Sequence, residues 1–129
     1  MENPKNLKYS KEHEWIKVEG DIAVVGITDF AQKQLTDIVF VELPEEGKHV
    51  TQGKAMAVVE SVKSVSDVFA PVSGEVVDIN SELVDAPEIL NKEPYGKGWI
   101  VKVKIENKSE LNNLLSTEGY EKFLRETKH

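Results

Sequence analysis

Lys63 stands between two β-rich runs, in Ala57-Val58-Val59-Glu60-Ser61-Val62-Lys63-Ser64-Val65-Ser66-Asp67-Val68. Ser61 to Ser64 form a candidate type I turn, because they lack the Gly or Asn that a type I′ turn demands. The lysine would then project from the tip of a hairpin. An amine attacks an electrophile only as the free base, and a solvated lysine is protonated at neutral pH. Lys63 is thus a poor catalyst alone but a good attachment point for a modifying enzyme, and amidation there would remove its charge and add length. An exposed turn lysine is ordinarily just solvated. Two neighbours argue for more. Val62 is apolar and β-branched where polar turn formers normally win, and Ala70-Pro71-Val72-Ser73-Gly74 follows at a spacing that sets a second tight turn opposite the first.

Other chemistry is scarce. The histidines, His13, His49 and His129, are far apart and form no metal-ligand spacing. There is no cysteine to act as nucleophile, ligand or half of a disulfide. No nucleophile elbow, P-loop or dinucleotide fingerprint occurs. Gly96-Lys97-Gly98 lacks a third glycine and precedes a strand. Acidic pairs such as Glu45-Glu46 sit beside turns, where a solvated face explains them. The chain is read as a non-enzyme, with no self-sufficient active site.

The elements that must position Lys63 are short strands punctuated by turns. Trp15 to Val18 and Ile22 to Val25 flank Glu19-Gly20-Asp21, a hairpin signal. A short helix starts near Thr28, with Asp29 as cap and Gln32 reciprocating. Ile38 to Leu43 is a β-branched run that predicts a buried strand, ended by Pro44. Ala55 to Glu60, Ser64 to Phe69, Glu75 to Ile79 and Trp99 to Ile105 read as further strands. In the last, Trp99, Val101, Val103 and Ile105 are predicted to face one way, and Ile100, Lys102 and Lys104 the other. Leu111, Leu114 and Leu115, then Tyr120, Phe123 and Leu124, recur at helical spacing, with Ser116-Thr117 as a cap between them. Val50, Gly53 and Met56 are echoed by Val84, Pro87 and Leu90 at one constant offset, which fits a domain of two similar halves.

At 129 residues and a net charge of −7, the chain fits one compact domain, residues 1–129. Its acidity argues against nucleic acid and anionic lipid as partners. The charge either keeps the domain soluble or steers it toward basic partners. No apolar run has the length of a membrane span, and no secretion signal or transit peptide is evident, so a cytoplasmic chain is expected.

The run Val59-Glu60-Ser61-Val62-Lys63-Ser64, with Ala70-Pro71-Xaa-Ser73-Gly74 after it, resembles the modification site of lipoyl domains. More narrowly, the chain resembles the glycine cleavage H-protein family over nearly its whole length. The likeness includes His13-Glu14-Trp15, Gly26-Ile27-Thr28-Asp29, Ala31-Gln32, Val39-Phe40-Val41-Glu42-Leu43-Pro44, Ser73-Gly74-Glu75-Val76, Pro94-Tyr95-Gly96 and Gly98-Trp99. It implies a mainly β fold, a barrel-sandwich hybrid with short helices and a C-terminal helix. The lipoyl-type core would span about 22–105 and the helical segment about 109–127. It also implies lipoate joined to Lys63, with Glu60 and Gly74 recognised by the lipoate-attaching enzyme. Glu14, Ser61 and Asp67 match positions that line a cleft for the loaded arm, a carboxylate there holding the cationic amine; for Glu14 and Asp67 ordinary surface acids are the alternative. Gly74 is equally read as a positive-φ turn position. Gln34 departs from relatives that carry histidine, and Trp15 and Trp99 are read as packing residues.

The resemblance implies a carrier, expected as a monomer, that takes an aminomethyl group from the pyridoxal-phosphate enzyme glycine decarboxylase. Aminomethyltransferase would pass the one-carbon unit to tetrahydrofolate, and dihydrolipoamide dehydrogenase would reoxidise the arm with FAD and NAD. Transient partners predict weak, polar interfaces and no large apolar patch. Rival readings are a lipoyl relay for 2-oxoacid dehydrogenases, a biotin carrier, disfavoured by Val62 and Ser64 where methionines usually flank the lysine, and an unmodified β-rich interaction domain.

Overall fold

Alternating apolar and polar residues give strands one buried face each, and the chain pairs them into two sheets around a shared core. The computed structural model describes residues 3–127; His129 lies outside them. In chain order the elements are β1 (Lys8–Tyr9), β2 (Glu14–Glu19), β3 (Ile22–Ile27), α1 (Asp29–Leu35), β4 (Ile38–Glu42), β5 (His49–Val50), β6 (Ala55–Ser61), β7 (Val65–Phe69) and β8 (Gly74–Ile79). There follow α2 (Glu82–Asp85), α3 (Ile89–Lys92), β9 (Val101–Ile105), a 3₁₀ helix (Lys108–Asn113) and α4 (Thr117–Thr127). One sheet has the order β1-β2-β3-β9-β8-β5, the other β4-β6-β7. The architecture is a barrel-sandwich hybrid with short helices and a C-terminal helix.

The main core lies between the sheets: Ile16, Val25, Val41, Val59, Val76, Leu90 and Val103 are among its buried members. A second cluster of Leu7, Tyr9, Trp15, Val24 and Tyr120 is packed by Phe123 and Leu124 of α4. Trp15 is 2% exposed, and its indole N–H donates to the Pro94 carbonyl at 2.8 Å. Gly26 is required beneath it, because a Cβ there would stand 2.6 Å from the indole. Trp99 packs at the edge of this cluster with Lys102 Nζ 5.0 Å above its ring.

Several sequence expectations give way to local geometry. Thr28, not Asp29, caps α1, its hydroxyl accepting from the Ala31 N–H at 3.2 Å, while Asp29 is the first helical residue and accepts from Gln32. β4 is not a buried strand. Ile38 pairs with Ser61 and Phe40 with Glu60, so Val39 is the extra residue of a bulge. The bulge resets the alternation, leaving Val39 53% and Phe40 48% exposed. Ile100 is fully buried instead of siding with Lys102 and Lys104, since the regular strand begins only at Val101. The echo between residues 50–56 and 84–90 is not structural. The first stretch enters strands β5 and β6, whereas the second is α2 and α3, with Val84 exposed and Val50 buried.

Candidate functional site

β6 and β7 pair antiparallel from Ala55–Phe69 to Glu60–Val65, and Lys63 sits exposed in the turn that joins them. Ser61 builds that turn. Its backbone N–H donates to the Ser64 carbonyl at 2.8 Å. Its hydroxyl, on a residue only 6% exposed, accepts from the Ser64 N–H at 3.1 Å and the Lys63 N–H at 3.3 Å. The hydroxyl thus takes the N–H that a type I turn would give to the Ser61 carbonyl. The Val62 N–H is tied to the Asp37 carbonyl at 3.0 Å. With these backbone donors satisfied, the lysine side chain leaves a fixed corner.

Glu60 is half-buried on β6, opposite Phe40 of β4 and Val65 of β7. Gly74 has the positive φ expected of it, 158°, but lies in a strand and not in a turn. It is buried at the start of β8 between Val50 and Ile105, and a Cβ there would collide with the Lys104 carbonyl oxygen. Close approach of two backbones accounts for this glycine.

The other end of β7 faces a cleft of about 190 Å³ whose walls include Ser10, Glu14, Gln52, Phe69, Pro71 and Leu114. Glu14 is 2% exposed. One carboxyl oxygen is bonded to the Ser10 hydroxyl, and the other accepts from the Phe69 N–H at 3.1 Å. Burial pushes its pKa up to about 7, against the lowering effect of those two hydrogen bonds. The adjacent His13 takes a positive φ of 72°, and its ring nitrogen Nδ1 lies 2.8 Å from the Tyr120 hydroxyl, which also bonds Thr28 at 2.8 Å. Tyr120 stacks on Tyr9 at 4.7 Å. In this way α4 holds the segment that carries Glu14. A larger depression of about 860 Å³ runs along residues 42–48 and 55–58, but it contains no buried polar side chain.

The structure brings only Glu14 of the three expected cleft residues into those walls. Ser61 is committed to the turn, and Asp67 is exposed midway along β7, opposite Val58. Ser10 and the Phe69 N–H complete the carboxyl's surroundings. A serine and a main-chain group carry no distinctive signal.

A family model described as "Glycine cleavage H-protein" matches residues 7–127. The chain belongs to the glycine cleavage H-protein family. It is 59% identical over 123 residues to a glycine cleavage system H protein of Carboxydothermus hydrogenoformans, covering 95% of each chain. A glycine cleavage system H protein of Halothermothrix orenii is 56% identical over 126 residues, 98% of each chain. The crystal structure of a glycine cleavage system H protein from Mycobacterium marinum superposes with a TM-score of 0.85 at 37% identity, covering 97% of this chain and 98% of that one. Family membership and the two-sheet fold therefore agree. Among the described residues no helix is long and apolar enough to cross a membrane, and no group of three or more His, Asp or Glu could hold a metal ion.

Proposed function

We propose that this chain carries lipoate in amide linkage on Lys63. It takes the aminomethyl group of glycine from glycine decarboxylase to aminomethyltransferase, then electrons to dihydrolipoamide dehydrogenase. The observation that carries this reading is the placement of an exposed lysine and a carboxyl-bearing cleft at opposite ends of one short strand. Along Val65–Phe69 the strand rise amounts to roughly 13 Å. When bound, the dithiolane would supply the redox-active sulfur that a cysteine-free chain lacks.

The chain's own residues supply presentation and shelter. Ser61 fixes the corner from which Lys63 projects, the lipoate-attaching enzyme reads Glu60 on the adjoining strand β6, and Gly74, at the start of β8, supports that recognition from outside the turn. Gly74 acts there through the packing it permits. Asp67 offers a carboxylate along the path, and Glu14 receives the cationic amine in the cleft. A neutral carboxyl costs less to bury than a charged one, and near pH 7 Glu14 sits close to its midpoint. An arriving cation would favour the ionised form, so Glu14 would give its proton to solvent and hold the amine with its carboxylate oxygens. The walls of Phe69, Pro71 and Leu114 exclude water from the labile group. Tethering raises the effective concentration at each partner enzyme.

Reconstitution with the partner enzymes tests this. Glycine-dependent NAD reduction should require the lipoylated chain and vanish in Lys63→Ala, whose circular dichroism and Tm stay those of the wild type. Retained activity in that variant overturns the proposal.

A further inference from the structure

We infer that the outer face of the three-stranded sheet is the docking surface for the enzyme that acylates Lys63, with Phe40 and Val65 as its apolar anchors. The inference rests on acylation at Lys63 and names the surface that admits it.

Register places the residues. Phe40 is opposite Glu60, and Glu60 is opposite Val65. Directly opposed residues in antiparallel strands project from the same face, so these three form one outward row. Glu42, Val58 and Asp67 form the next outward row, while Val41 and Val59 between them point into the core. The bulge at Val39 turns two successive apolar residues of β4 outward. Seven large hydrophobic side chains are exposed among the described residues, and four of them belong here: Val39 at 53%, Phe40 at 48%, Val62 at 67% and Val65 at 64%. Singly exposed apolar residues are ordinary, but a cluster marks an interaction site. The surface around Lys63 is therefore less polar than transient contacts alone would predict.

Charge narrows the partner. Lys63 is the only Lys or Arg between Lys54 and Lys92, and there is none between Lys33 and Lys48. Glu42, Glu60 and Asp67 share the outward face, and Asp37 is exposed just before β4. The complementary surface has an apolar centre and a rim of Lys or Arg. Chemistry decides which enzyme fits. In acylation the free amine Nζ attacks the carbonyl carbon of an activated acyl donor, such as a mixed anhydride. A C–N amide bond forms, the leaving group departs with its electron pair, and Nζ gives up a proton. That bond is made four methylenes from the backbone, so the active site must close over the turn and its neighbours. Enzymes that work at the far end of the finished arm can stand further off.

The test uses the full unmodified chain with a purified lipoate-attaching enzyme, lipoate and ATP, reading kcat and KM separately. Phe40→Ser and Val65→Ser should each raise KM by about ten-fold, the effect of one buried anchor, with kcat within about two-fold. Val84→Ser, an equally exposed change on α2, should leave both constants unaltered. Glu60→Gln should raise KM and flatten its dependence on salt. Thermal melts confirm that each variant is folded. A Phe40→Ser/Val65→Ser double variant acylated with the wild-type KM overturns the docking surface while leaving the carrier intact. A wild-type chain that is never acylated at Lys63 overturns the carrier reading itself.

Discussion

At the turn end of β7, Ser61 to Ser64 hold Lys63 in water on a frame of main-chain hydrogen bonds, with Val62 67% exposed beside it. At the other end, Phe69 gives its N–H to a carboxyl that is 2% exposed. One end spends a buried hydroxyl to make a side chain available, and the other spends a polar framework to hide one. The same strand joins them, so a group attached at the first end, as proposed, would have a fixed distance to cover to reach the second. Presentation and shelter need opposite solvation, and the fold separates them by a strand instead of compromising within one pocket.

Removing the titrating carboxyl should break the comparison most strongly. Glu14 has a pKa raised from 4.5 to about 7, so between those values the folded chain binds more protons than the unfolded one. Its contribution to stability is complete below about pH 4.5 and is lost as pH rises through 7. Wild type should lose roughly 3 kcal/mol between pH 4 and pH 8 relative to Glu14→Gln, which keeps the shape without the proton. Denaturant melts at both pH values measure the difference, and parallel pH profiles would place Glu14 in a wet site. Ser61→Ala, which strips the turn of its organising acceptor, should cost about 1–2 kcal/mol. It should also speed hydrogen exchange at the Lys63 and Ser64 amides while leaving Phe69 protected. Val62→Ser should change stability by less than about 0.5 kcal/mol, a result that would mark Val62 as retained for contact and not for folding.

The presenting end was legible in the sequence. Two β-rich runs around Ser61-Val62-Lys63-Ser64 announce a hairpin, and the resemblance names what its tip can carry. The sheltered end was legible only by resemblance, because nothing in His13-Glu14-Trp15 says that the middle residue is buried. That burial comes from Ser10, the Phe69 main chain and the α4 contacts of Tyr120, which converge from distant parts of the chain. Periodicity failed wherever one residue shifts the pleat. The bulge at Val39 turned an apparently buried run into an exposed one, and the late start of β9 buried Ile100. The four-residue helices α2 and α3 are too short to show a helical period, which is why their stretch could pass for an echo of β5 and β6.

The most direct measurement is the peptide map of the chain produced in lipoate-supplied cells. Cleavage after lysine and arginine releases residues 55–92 as one piece only if Lys63 is blocked, since no other cleavage site lies within it. That piece should appear intact, heavier by one lipoyl group on Lys63. Fragments ending at an unmodified Lys63, from protein made with lipoate and its attaching enzyme present, would contradict it.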